Sequence, residues 1–199
     1  MGSRKRDRRV IVLAHGLLIL GLALLLGACS ENGANGGGSI AVAGTWVLES
    51  DYDGDGTADL TERWTIDADS ITYESDFASG FSTFYSADIV DFTNNGLNGG
   101  DTKLIASATD DASNPGFAVF QYTAVDGPGT GKVGKFNVFR WAENGADPAK
   151  KNFAQGYKNV GDDFPDNVNG IFDSASAAER GATNGNGYFG FASSGAVRD

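Results

Sequence analysis

Seven residues in one short stretch carry oxygen or glycine at a spacing that suits a hard cation: Asp51, Asp53, Asp55, Gly56, Thr57, Asp59 and Glu62. Ca²⁺ takes about six to eight oxygens at roughly 2.3–2.6 Å. Asp51, Asp53 and Asp55 can turn their carboxylates inward from a curled backbone, and Gly56 permits the sharp bend that follows. Thr57 would supply its main-chain carbonyl. Asp59 would bind directly or through water, and Glu62 would close the shell with both carboxylate oxygens. Without a cation the five carboxylates on residues 51–62 repel one another. We therefore expect Ca²⁺ as cofactor, at an affinity of about 10⁻⁴–10⁻³ M. Its task would be to order the connection between two strands. A self-solvating acidic turn would have the same composition.

Other chemistry is thin. The only histidine is His15, inside an apolar run, and the only cysteine is Cys29. A chain that loses its first residues therefore has no Ser-His-Asp or Cys-His catalysis and no His-ligated metal. One cysteine also rules out an internal disulfide framework. Two carboxylates suffice for glycoside hydrolysis, but spacing singles out no pair, and we expect no enzyme. The net charge of −11 argues against a nucleic-acid partner, which would need a basic face. Trp46, Trp64 and Trp141 could line a pocket for an apolar ligand or carbohydrate, or fill a core. Residues 162–170 are acidic, but Pro165 occupies the place of the first ligand, so that stretch reads as a solvated loop.

The elements that must position these residues are strands. Ile71, Tyr73, Ser75 and Phe77 alternate with Thr72, Glu74 and Asp76. Trp46 and Leu48 share one face of a first strand, and Trp64 and Ile66 one face of a second. Further strand-like runs cover 81–93, 103–109, 116–126, 132–143 and 188–193, separated by Asn, Asp, Gly and Pro clusters. About eight strands make an all-β fold, an antiparallel meander barrel or a sandwich. The strands around Phe117–Tyr122 and Phe136–Trp141 are apolar on both faces, which fits a wall covered from outside. Asp147-Pro148 up to Gly156 predicts one short helix. Ser176 with Glu179 forms a capping box that predicts another, both before the last strand.

The N-terminus reads as an address. Arg4, Lys5, Arg6, Arg8 and Arg9 precede an uncharged apolar run over 10–26, followed by Leu26-Gly27-Ala28-Cys29. This order makes a secretory signal; the run is also about long enough for an uncleaved span. Leu-Gly-Ala-Cys resembles the lipobox of bacterial lipoproteins. The resemblance implies that residues 1–28 are removed and that Cys29, acylated, ties the protein to a lipid bilayer. Ser30 then implies the outer membrane of an exported, envelope-anchored protein. Residues 29–43, polar and glycine-rich, form a flexible lipidated tether, and 44–199 form the β-barrel domain. Cleavage would remove five basic residues and one acidic residue, leaving a net charge of −15. Such a domain attracts cations and repels anionic headgroups.

Two further resemblances bear on function. The 51–62 stretch resembles EF-hand and other DxDGDG-type calcium loops, although strand-like residues flank it where an EF-hand has helices. Gly44-Thr45-Trp46 resembles the G-x-W motif of the lipocalins, whose barrel has eight strands. That family's late arginine, which packs on the tryptophan, has Arg180 and Arg198 as candidates here. Together these imply a non-catalytic binding module, stabilised by calcium, for a small apolar ligand or cell-envelope component. The alternative is a calcium-dependent surface adhesion or carbohydrate-binding module.

Overall fold

Strict alternation sends Trp46 and Leu48, Trp64 and Ile66, and Ile71 and Tyr73 to one side of three successive strands, and the sheet closes around that side. A computed structural model describes residues 38–126, 132–158 and 171–199. Eight antiparallel strands run in chain order: β1 Gly44–Ser50, β2 Leu60–Ile66, β3 Ser70–Asp76, β4 Ser82–Thr93, β5 Ser113–Val125, β6 Phe136–Glu143, β7 Lys151–Gln155 and β8 Ser193–Arg198. Each pairs with the next, and β8 returns to β1, so the sheet is a closed barrel. At the seam Trp46 faces Arg198 and Val47 faces Val197. The sandwich alternative is therefore excluded.

The lumen is filled with side chains. Trp46, Trp64, Ile66, Ile71, Tyr85, Phe120, Tyr122, Phe139, Trp141 and Phe153 form one buried cluster, which Ile40 and Val42 join from the segment before β1. Phe153 stands edge-on to Trp46, with ring centroids 5.8 Å apart, and 5.1 Å from both Trp64 and Phe139. A lipid-spanning barrel shows the reverse polarity, with an apolar band outside; here Arg63, Glu74 and Asp88 alternate outward from β2, β3 and β4.

The outer face of β5–β7 is covered too. Phe117, Val119, Val138, Ala142 and Ala154 pack under Leu97, Leu104, Ala178, Ala182 and Phe189. This explains the two-sided apolar pattern of those strands. The cover includes helix α1, Ala175–Gly181, whose first turn is capped by the Ser174 hydroxyl accepting from the Ala177 amide at 3.2 Å. Arg140 is fully buried between wall and cover. It donates to Asn98 Oδ1 at 2.6 Å and Asp101 Oδ2 at 2.7 Å, and its guanidinium lies 3.6 Å over the Phe189 ring.

Four sequence expectations fail in detail. Residues 103–109 form turns, because Leu104 anchors them to the outer face of the wall. The expected helix from Asp147 is a tight turn followed by β7, whose Phe153 belongs to the lumen and whose backbone is needed between β6 and β8. The last strand starts at Ser193; Phe189, at a φ of 58°, breaks the chain direction and places its ring beneath Arg140. The capping serine of α1 is Ser174, two residues before the expected Ser176.

Candidate functional site at the rim of the barrel

In a meander, alternate connections leave the same end. The β1–β2 loop (51–59) and the β3–β4 turn (77–81) thus share one rim. The acidic stretch opens on that rim, and the Asp59 amide donates to the Ser50 carbonyl at 2.9 Å to close its base.

Within the loop the carboxylates curl the backbone around themselves. Asp51 accepts from the amides of Gly54 at 2.7 Å and Gly56 at 2.9 Å. Asp53 accepts from Asp55, Asp55 from Thr57, and Asp59 from Tyr52. Gly54 and Gly56 sit at φ of 77° and 87°, a left-handed conformation that favours glycine. Amide donation from Gly56 and Gly54 holds the Asp51 carboxyl below the usual carboxylate range. Carboxylate oxygens of Asp51, Asp53 and Asp59 lie within 4.8 Å of one another. Oxygens on one Ca²⁺ are at most about 5 Å apart, so this donor set fits the ion.

Two of the expected ligands lie outside that group. Asp55 turns its carboxylate to the Thr57 amide at 2.7 Å. Glu62 is the larger departure. The hairpin closes at Asp59, so the twelfth residue already belongs to β2, where it pairs with Leu48 and Ser75. Alternation then sends it into the lumen with Trp64. Its Oε1 accepts from the Tyr73 hydroxyl at 2.8 Å, and Ser193 Oγ lies 3.2 Å from Oε1 and 3.0 Å from Oε2. In an EF-hand the closing glutamate stands on a helix; a strand aims it elsewhere.

Around the loop the rim carries exposed rings: Tyr52 at 73% exposure, Phe77 at 63%, Phe84 at 44% and Phe81 at 41%. The Arg63 guanidinium, paired with Glu74 at 2.8 Å, lies 3.8 Å over Phe81. Phe84 lies tilted against Tyr73, with ring centroids 5.6 Å apart. Of these, period-two alternation in the sequence marks Phe77 as a strand residue, but it lies in the turn beyond β3. Tyr52, inside the metal template, was the readable signal.

Trp46, Trp64 and Trp141 are at most 4% exposed and belong to the packed core. Two grooves open on the described surface. One, about 660 Å³, lies over the outer faces of β8, β1 and β2 between Arg63, Phe81, Lys150 and Arg198. The other, about 420 Å³, lies between Thr83, Tyr85 and Asp126. No tryptophan lines either. At the opposite end Arg198 donates to the Ala43 carbonyl at 2.9 Å, with its guanidinium 6.0 Å from the Trp46 ring. Gly44 sits at a φ of 127°, and a Cβ there would approach Arg198 to 2.9 Å. Of the two candidate arginines, Arg198 is the one near the Trp46 ring.

Cys29 and the signal and lipobox residues lie outside the described residues, as does the acidic stretch 162–170. Among the described residues no helix is long and apolar enough to cross a membrane. The fold defines the class: an eight-stranded antiparallel meander barrel with a decorated rim. No protein-family model matches this chain, and comparisons with curated proteins and with solved structures find no significant match.

Proposed function

We propose that this chain is an exported, lipid-anchored, non-catalytic binding module of the bacterial cell envelope. Ca²⁺ shapes its rim, and carbohydrate or another surface component is recognised there. Asp51, Asp53 and Asp59 hold the ion, joined by the Thr57 carbonyl and water, with Asp55 at the periphery. Calcium supplies charge neutralisation and rigidity to a loop that otherwise carries four uncompensated carboxylates; the chain's own rings supply contact area.

One observation carries the choice of the rim over the lumen. The lumen is occupied by packed rings, whereas Tyr52, Phe77, Phe81 and Phe84 stand exposed around the acidic loop. Exposed rings stack on the apolar faces of sugars, and neighbouring charged groups orient hydroxyls. A small apolar ligand deep in the barrel would have to displace that packing. The Gly44–Trp46–Arg198 arrangement at the end opposite the rim supports the lipocalin resemblance at the level of architecture.

The test is sedimentation of the purified protein with insoluble envelope polysaccharide. We expect binding in Ca²⁺, loss in EGTA, and loss in Tyr52→Ala with Phe77→Ala at an unchanged melting temperature. Binding that persists in EGTA refutes the role of the ion, and failure to sediment in Ca²⁺ refutes the carbohydrate.

A further inference from the structure

The larger of the two surface grooves gathers cations in a domain rich in carboxylates. Arg63, Lys150 and Arg198, three of the ten lysines and arginines that follow Cys29, line it. Strand phase builds the groove. Trp46 points into the barrel, so Val47 points out, and Val197, Val47 and Arg63 stand in one row across β8, β1 and β2. The two valines are short, and Gly195 on β8 has no side chain, so the floor is low. Longer residues make the walls. On one side stands Arg63, its guanidinium 3.8 Å over the Phe81 ring. On the other the Lys150 stem passes Gly195, with Cδ 4.0 Å from where a Cβ of that glycine would stand. The space between is about 660 Å³.

The cations have capacity left for a guest. Arg63 gives its Nε–H to Glu74 at 2.8 Å, and its terminal N–H groups have no hydrogen-bond partner among the described residues. Lys150 forms no ion pair among the described residues. Arg198 donates to the neutral Ala43 carbonyl at 2.9 Å. Two acids, Glu49 and Asp199, share the lining.

This mixture selects among guests. Arginine and lysine recognise carboxylates, arginine with paired N–H donors. Glu49 and Asp199 accept from hydroxyls. Val47, Val197 and Phe81 offer apolar contact. An acidic sugar engages all three, through its carboxylate, its hydroxyls and the apolar face of its ring. A polyphosphate or an anionic bilayer would use the cations alone and be repelled by the two acids. At about 0.15 M salt the negative field of the domain is screened beyond roughly 8 Å, so contacts inside the groove decide the outcome.

We propose that the groove over β8, β1 and β2 binds uronic acid units of an acidic polysaccharide, with Arg63 and Lys150 on the sugar carboxylates and the two valines under the ring. The proposal rests on the carbohydrate reading of the rim and names its chemical class. Phe81 belongs to both surfaces, so a glycan chain lying on the rim continues onto the outer wall.

The test is calorimetric titration of the purified protein, at about 0.15 M salt, with tetragalacturonate and with its carboxyl-reduced, neutral form. EGTA is present so that no Ca²⁺ bridges sugar and loop. We expect saturable binding of the acid and binding of the neutral form weaker by about tenfold or more. Arg63→Gln should weaken the acid by about tenfold and Lys150→Gln by about threefold. Lys103→Gln, in the covering layer outside the groove, removes the same charge and should leave affinity unchanged. Lys150→Gln decides the matter should Arg63→Gln fail to fold. Equal affinity for the two forms overturns the proposal and leaves the carbohydrate reading standing. No binding of the acid, or a loss in Lys103→Gln as large as in Lys150→Gln, also overturns it, and sedimentation with polysaccharide in Ca²⁺ judges the broader reading separately.

Discussion

At the scale of single residues, Arg140 shows how a charge is tolerated inside. Its guanidinium is spent on Asn98 and Asp101 and on the face of Phe189, and it ties the β4–β5 connection to the wall. Burial pulls its pKa down to about 10, and Asp101 opposes the shift, so the group stays charged at neutral pH. Arg140→Ala leaves Asp101 and the Asn98 amide facing a void. We expect a loss of about 3–5 kcal/mol in chemical denaturation. The buried phenols set a second expectation. Burial raises the pKa of Tyr73, Tyr85 and Tyr157, and that of Tyr122 to about 12. An unfolded tyrosine ionises near pH 10. The fold therefore disfavours the phenolate. The stability this confers is complete below about pH 10 and is lost as pH rises toward about 12. Denaturation midpoints should fall steeply across that window, and phenolate absorbance from these four should appear together with unfolding.

At the scale of elements, the 51–59 hairpin separates two roles that the sequence motif had joined. Asp51→Ala with Asp53→Ala should abolish the Ca²⁺-dependent rise in melting temperature, whereas Glu62→Gln should retain it; the reverse order would place the glutamate in the shell. This outcome also shows where legibility stops. The clustering of Asp51, Asp53 and Asp59 and the bend at Gly56 were readable because a tight loop obeys local spacing. Glu62 was not, because its direction depends on the strand register set by Leu48 and Ser75. Strand phase was legible wherever alternation was clean, as in 71–76. It failed at 103–109 and 188–193, where apolar residues face the barrel from outside. There Leu104 and Phe189 bury themselves without joining a ladder, and a period-two reading cannot tell the two cases apart. The Asp147-Pro148 turn imitates a helix start, and only the need for a strand between β6 and β8 decides against it.

At the scale of the molecule, the all-β antiparallel order followed from turn spacing, while closure did not; the count of eight agrees only because β7 takes the place of the strand expected at 103–109. Closure depends on β8 meeting β1, a pairing between residues about 150 positions apart in the chain, such as Trp46 and Arg198. The same scale holds the prediction for the anchor. Cys29→Ala should abolish acyl labelling and move the protein from the membrane fraction to the soluble one; unchanged labelling would refute the lipid attachment.

The return of β8 onto β1 has a consequence for crowding. Copies gathered densely on a surface collide far more often than in dilute solution, and a bare strand border would let one backbone recruit the next. A cylinder without first or last strand offers no such template. The pairing of Trp46 with Arg198 and of Val47 with Val197 thus withdraws that part of the backbone from recruitment by a neighbouring copy.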